Sequence, residues 1–520
     1  MPQVRTLAVV ALLMVAGCGE GDRERAPGPD AAAARGGGLL PTFEELFPPV
    51  SGELMTQSSP DMADLDRDGV PDIVFGTGVD RVRPSQGRYV FGTEPEIPGH
   101  VVAVSGATNE VLWSAPNPGE AHTTPRFADL DADGVPDVVM GGREGGFSAY
   151  AGTDGHTIWR VDPEAVAGTP APYNFFTPAL IGDVSGDGVP DMAVVYAGDD
   201  TRLPGQPRDP GFVVVISGAD GSSIASHRTP DGNESYSAIV RYRRANGSEW
   251  IVFGTGGETH AGTAFRAPVA SLIDGTFPER VERLLPPGEK GVIAPATIVE
   301  LTGDDESDIV LSTFDGRLLA LDGASTHVLW EQPTENEEAY HQAAVVRLGE
   351  GRLGLFVSRG IGAFPRYAGT VHRLYDAADG SLLYEYKDTR YPGGAPLAVD
   401  LDGDDVDEAL FFSQQYPFGE GGRIHILRVG PDELSTHDVP TNLASTPRIG
   451  DPRGTGSLEL IVPTWFIAPG EQQPTWRDLR WRLFRLDLSA PAPSFLTWAG
   501  YMGTSTDGHY PPSGAEELAR

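Results

Sequence analysis

Nine-residue stretches dense in carboxylates recur five times: DLDRDGVPD (64–72), DLDADGVPD (129–137), DVSGDGVPD (183–191), ELTGDDESD (300–308) and DLDGDDVDE (400–408). Counted from the first acid, positions 1, 3 and 5 are all carboxylates in three copies: Asp64, Asp66, Asp68; Asp129, Asp131, Asp133; and Asp400, Asp402, Asp404. In the other two, Ser185 stands between Asp183 and Asp187, and Thr302 between Glu300 and Asp304. Position 9 is always an acid, as Asp72, Asp137, Asp191, Asp308 or Glu408. Calcium takes roughly six to eight oxygen ligands. Alternating acids, with the carbonyl of position 7 (Val70, Val135, Val189, Glu306 or Val406), would supply most of them from one turn. Two carboxylates ~4 Å apart repel by roughly 4 kcal/mol at an effective dielectric of 20, and a bound cation removes that penalty. The competing reading is a solvated acidic turn in which Asp and Gly serve turn geometry. It is stronger where Ser185 and Thr302 replace the position 3 acid.

A helical EF-hand loop needs a bidentate Glu at position 12. Here that position is Phe75, Met140, Val194, Leu311 or Phe411, each inside an apolar β-type run. The spacing therefore predicts a calcium loop between strands. Three degenerate copies fill the gaps: RYRRANGSEW (241–250), RLGEGRLG (347–354) and DPRGTGSLE (451–459). Arg241, Arg243, Arg244 and Arg453 replace acids there, so a unit can close without metal, and calcium reads as a stabiliser and not a reaction centre.

Eight units of about 45–65 residues result, the period of a repeat array. Each runs from a post-proline strand such as TPRFA or TPALIG through the loop to an apolar run, a third run and a hairpin. Gly106, Gly152 and Gly323 lie seven residues before Trp113, Trp159 and Trp330, a turn glycine and a ring suited to packing between repeats. Four short strands per unit predict an all-β fold, a β-propeller of four-stranded antiparallel blades, with eight blades favoured and seven the alternative.

The 520 residues include 66 Gly and 45 Pro, which suit many turns. A net charge of −36 argues against nucleic acid, whose phosphates require clustered Lys and Arg. Residues 1–17 read as an export signal, with Arg5 before the apolar run Leu7–Val15, which is too short to span a membrane. VAGC, ending at Cys18, resembles the lipobox of bacterial lipoproteins, which implies lipidation of Cys18 and an outer-membrane or other envelope location. Cys18 is the sole cysteine, so no intramolecular disulfide forms. Residues 18–38 read as a tether rich in Gly, Ala and Pro, and 39–520 as one propeller domain.

The pattern PALIGDVSGDGVPDMAVVYAG and its sister copies resemble the FG-GAP or VCBS repeats of integrin α-subunit propellers and bacterial surface proteins. The resemblance runs from about residue 50 to 510 and implies calcium in the five acidic loops. The Gly-to-Trp hairpins are instead similar to quinoprotein (PQQ) dehydrogenase repeats, and integrin propellers have seven blades.

In a four-stranded blade the acidic loops lie opposite the second-to-third loops and the blade-to-blade connections. Those segments carry Tyr89, His122, Tyr173, Phe175, His341, Tyr367, Tyr391, Tyr416 and Trp476, candidates for a ligand face. No zinc-type His cluster, G-x-S-x-G elbow or phosphate-binding Gly-Lys loop is found. The expectation is a monomeric, lipid-anchored, calcium-stabilised propeller that recognises a protein or glycan and has no catalytic role. The alternatives are a periplasmic quinoprotein-like oxidoreductase, a carbohydrate-active enzyme, or an envelope assembly scaffold.

Overall fold

Short runs of buried β-branched and aromatic residues, each ended by a Gly- or Asp-rich turn, pair with their sequence neighbours into eight separate antiparallel sheets. The computed structural model describes residues 44–79, 99–167, 173–198, 206–364, 366–415, 421–443, 445–469 and 476–511, all within one compact unit that begins at Leu40. The sheets form an eight-bladed β-propeller, as the repeat count favoured. Blade 1 is typical, with Asp61–Ala63 innermost, followed outward by Asp72–Thr77, Gly99–Val104 and Val111–Asn117.

Packing between blades makes the core. Val74, Ala103 and Trp113 of blade 1 meet Val138, Met140 and Tyr150 of blade 2. Trp113 pairs across its hairpin with Ala103, and its indole N–H donates 2.7 Å to the carbonyl of Gly152 in the next blade. Trp159 and Trp330 do the same to Gly218 and Ala377, at 2.6 and 2.9 Å. These rings seal blade interfaces, as their spacing implied.

Blade 8 is completed from the other end of the chain. Its own strands are Arg448–Gly450, Ser457–Ile467 and Leu479–Pro491, and the N-terminal strand Val50–Glu53 adds to the outer edge, Val50 opposite Leu483 and Glu53 opposite Arg480. Ile73, Phe75 and Val102 of blade 1 then pack on Ile461, Trp481 and Leu483, which closes the ring. Pairing the chain's two ends makes opening of the ring cost a whole strand of hydrogen bonds.

After Pro491 the chain turns into the axis. Trp498 bridges Ala398 of blade 7, Ala499 accepts from Ile449 of blade 8 at 2.7 Å, and His509–Tyr510 runs parallel to Thr297–Val299 of blade 5. Thr506 Oγ1 donates to Asp61 of blade 1 at 2.6 Å, and Arg126 of blade 2 donates to the Thr506 carbonyl. Trp498 is fully buried. The segment plugs the centre of the propeller.

Candidate functional sites

The acidic loops follow the innermost strands, and their backbone explains their composition. Positions 4 and 6 adopt left-handed conformations, as at Arg67 (φ 63°) and Gly69 (φ 90°), so Gly suits position 6. Where Asp305 and Asp405 replace it, the same φ of 66° is kept by a residue type that tolerates it. The position 5 acid accepts the N–H of position 7: Val70, Val135, Val189, Glu306 and Val406 donate to Asp68, Asp133, Asp187, Asp304 and Asp404 at 2.7–3.0 Å.

The position 9 acid has a role that the ligand pattern alone does not convey. Asp72 accepts from Leu65 N at 2.9 Å and from Gly106 N at 3.0 Å, tying the acidic loop to the blade's outer hairpin. Asp137, Asp191 and Asp308 repeat this with Gly152, Gly218 and Gly323 at 3.1, 3.1 and 2.8 Å. A Cβ on Gly106 would come 2.2 Å from the Pro71 carbonyl, so only glycine brings the two turns together. Burial raises the pKa of Asp72, Asp137 and Asp308 against the pull of these N–H groups, and raises Glu408 to about 7 with Asp402 adding repulsion.

The five loops divide into two kinds. One carboxylate oxygen from each of Asp64, Asp66 and Asp72 lies within 4.8 Å of the others, and the same holds for Asp129, Asp131 and Asp137, and for Asp400, Asp402 and Asp404. In the first loop Asp64 Oδ1 is buried without a hydrogen-bond partner. These residues fit calcium, which asks for converging hard oxygens with unspent lone pairs. In the third loop Asp183 instead accepts from Gly186, Asp187 and Gly188 at 2.6–3.1 Å, and Ser185 Oγ bonds Asp183 and Asp191. The backbone N–H groups, Gly188 first, lower the Asp183 pKa and satisfy it without metal. In the fifth, Thr302 and Gly303 turn in on one oxygen of Glu300 while its Oε2 is buried without a partner, and the loop's acids do not group as those of the first, second and seventh do.

The degenerate loops carry their own cations. In blade 8, Arg453 at position 3 pairs with Glu459 at position 9, which Arg485 also contacts at 2.8 Å. In blade 4, Arg241 and Arg243 at positions 1 and 3 lie 3.6 and 3.7 Å from Glu249 at position 9. An arginine stands where the metal-type loops gather acids. The seventh loop is intermediate, since Arg428 lies 3.2 Å from Asp402 and 3.7 Å from Glu408.

At the other end of the innermost strands is an axial cup of about 210 Å³. Its wall is built from the residues that lead into the inner strands of six blades, among them Gln57, His122, Phe176, Tyr236, His341 and Ser445, and Tyr501 of the C-terminal plug contributes to the lining. His122 and His341, in separate connections in the sequence, thus share one cavity. Burial lowers their pKa to about 3 and about 4, with Arg143 adding to the effect at His122. Both imidazoles are neutral at physiological pH.

The remaining ligand-face candidates scatter. Tyr367 and Tyr391 are half-buried and pack edge to face at 5.0 Å, and Tyr367 meets the cup residue Tyr340 at 6.4 Å. Tyr173 and Phe175 do not belong to a ligand face: both are buried between blades 2 and 3, Phe175 stacked on Tyr196 at 4.4 Å. Their connection runs along the blade interface, and the apolar neighbours there claim the rings. Tyr89, Tyr416, Cys18 and the side chain of Trp476 lie outside the described residues. Tyr236, Tyr340 and Tyr501 escaped selection, because their one shared signal is proximity to the axis.

One further cluster resembles catalytic chemistry. His425 Nε2 lies 3.2 Å from Ser413 Oγ and 3.3 Å from Asp388, but Ser413 itself bonds Asp388 at 2.7 Å, so the imidazole does not stand between the other two. Ser413 and His425 are fully buried, which denies a substrate access.

The fold defines a β-propeller protein with eight blades. A family model described as the FAM234A/B beta-propeller matches residues 60–274. Among solved structures, the chain is similar to quinohemoprotein alcohol dehydrogenase from Comamonas testosteroni, with a TM-score of 0.52, 10% identity, and 88% of this chain and 77% of that one covered. It is also similar to quinohemoprotein alcohol dehydrogenase ADHIIG from Pseudomonas putida HK5, with a TM-score of 0.50, 11% identity, and coverage of 80% and 76%. BamB from Moraxella catarrhalis aligns with a TM-score of 0.45 and 12% identity over 78% of this chain and 97% of that one. At such identity the likeness is one of fold. No curated protein sequence matches the chain.

Proposed function

We propose that this protein is a calcium-stapled recognition propeller of the FG-GAP or VCBS type, held at a bacterial envelope by a lipid on Cys18, and that it binds a glycan or protein on the face opposite its acidic loops. The observation that carries this reading is the axial cup: it opens among the blade-to-blade connections, and its described lining contains aromatic rings and hydroxyls but no charged side chain. Such a site can hold a ligand through ring faces and neutral hydrogen-bonding groups. Calcium in the loops of blades 1 and 2 would draw Asp64, Asp66 and Asp72, and Asp129, Asp131 and Asp137, around one ion each and fix the blade edge. The arginines at the matching positions of blades 4 and 8 support this assignment, since each supplies a positive charge to the position 9 acid. A quinoprotein reading gains no comparable support, because an anionic quinone in the cup would meet no counter-charge among the described lining residues.

The test is capture of envelope glycans and proteins on immobilised full-length chain, compared with a Tyr236→Ala, Tyr340→Ala double variant. Retention of a ligand by the wild type and its loss from the folded variant is expected. Equal retention by both, or none by either, would refute the reading.

A further inference from the structure

Resting on that recognition reading, the cup's chemistry specifies its ligand more narrowly. Three of its lining residues hold polar atoms with no hydrogen-bond partner: Nδ1 of His122, Nδ1 of His341 and Oγ of Ser445. Buried polar groups are normally satisfied, so several unsatisfied atoms at one cavity mark a place built for an outside partner. A neutral imidazole offers one donor and one acceptor, which matches hydroxyl groups that both give and take hydrogen bonds.

Aromatic rings cover the rest of the wall. Phe176 meets His122 and Tyr236 edge to face at 5.7 and 5.8 Å. The hydroxyls of Tyr236 and Tyr340 are tied to Glu234 and Glu258 at 2.8 and 2.7 Å, which fixes both ring planes. A volume of about 210 Å³ is below the roughly 300–1,000 Å³ of pockets for drug-sized ligands and suits a single small ring. A cup whose described lining carries no charged side chain offers an ion no direct counter-charge, and the carboxylates of Glu234 and Glu258 behind the tyrosines disfavour anions further.

We propose that the axial cup binds one uncharged, hydroxyl-rich ring with an apolar face, a neutral pyranose, through His122, His341 and Ser445 and the rings of Phe176, Tyr236 and Tyr340. The pyranose is either a free sugar or the terminal residue of a glycan. In the second case the Tyr340, Tyr367 and Tyr391 ladder gives the following sugar residues rings to lie on.

The test is calorimetric titration of the full-length chain with glucose, galactose, mannose and N-acetylglucosamine, with glucuronate and glucosamine as charged controls and neutral oligosaccharides as extended probes. At least one neutral sugar is expected to bind saturably at about millimolar affinity or better, with the charged controls about tenfold or more weaker. His341→Phe, which fills the cup, should abolish binding, and Ser445→Ala, which is too small to unsettle the fold, should weaken it. Tyr367→Ala should weaken oligosaccharides alone if the source is a glycan, and leave all probes unchanged if it is a free sugar. No saturable neutral-sugar binding, equal binding of the charged controls, or undiminished binding by Ser445→Ala would overturn the proposal. If a glycan or protein is still captured by the wild-type chain while no sugar enters the cup, the ligand assignment alone fails; loss of both removes the recognition reading as well.

Discussion

Carboxylates of one loop do two separable jobs. Asp72 and its counterparts hold backbone N–H groups from two turns, so they matter with or without metal, whereas Asp66 and Asp131 each accept one N–H within the loop, from Asp68 and Asp133, an acceptor role that Asn keeps, and otherwise lie beside other acids. Asp191→Ala, in a loop whose acids are already satisfied, should therefore cost roughly 2–5 kcal/mol in denaturant melts with or without calcium, because buried N–H groups lose their acceptor. Asp66→Asn should leave the calcium-free melt unchanged or slightly raised and should remove only the calcium-dependent gain. In blade 8, Arg485→Ala leaves the fully buried Glu459 with Arg453 as its one remaining cation and should cost about 1.5–3 kcal/mol in the same assay. A pH prediction follows from three buried imidazoles, His122, His341 and His372, whose folded pKa values burial lowers to about 3, 4 and 3. Below the ordinary value of 6.5 the unfolded chain binds protons that the folded chain refuses, so stability is full above pH 6.5 and falls as pH drops toward 4. Glu408, raised to about 7, works in the opposite direction over the same range but is one group against three, so thermal melts of the calcium-free protein should show a net loss of about 2–4 °C at pH 5 relative to pH 7.

Strands and hairpins were the most legible level of the molecule. The five acidic loops mark where their inner strands end, and the Gly-to-Trp spacing reports the outer hairpin in blades 1, 2 and 5, since a glycine under a neighbouring carbonyl and a ring on the next blade are local demands. The two elements that close the structure were not legible. Val50–Glu53 reads VSGE, with no repeat around it, and becomes a strand only by adding to blade 8 at the far end of the sequence. Residues after Pro491 lie past the last unit, and their partners are spread over inner strands from blade 1 to blade 8. Tyr173 and Phe175 depart from the sequence expectation for a related reason: their connection runs between two apolar sheets and not over the surface. Trp498→Ala tests the plug. It should cost roughly 3–5 kcal/mol as a cavity mutation and, by loosening the segment that carries Tyr501, should weaken any ligand in the cup.

For the whole molecule, the organisation is a ring with two unlike faces: acids gathered where the inner strands end, and uncharged hydrogen-bonding groups where they begin. Blade closure by the strand Val50–Glu53 and filling of the axis by the segment after Pro491 leave a cup among the described residues. Among the described residues, three blades hold grouped acids and two place arginine at matching positions, so the proposed calcium sites are spread around the ring. The measurement that bears most directly on this is calcium titration of the metal-stripped protein, followed jointly by calorimetry and thermal melting. Binding of at least two ions per chain, lost in an Asp66→Asn, Asp131→Asn double variant and accompanied by a rise in Tm of about 5 °C or more, is the expected result. Identical melts in calcium and in chelator, with no heat of binding, would contradict it.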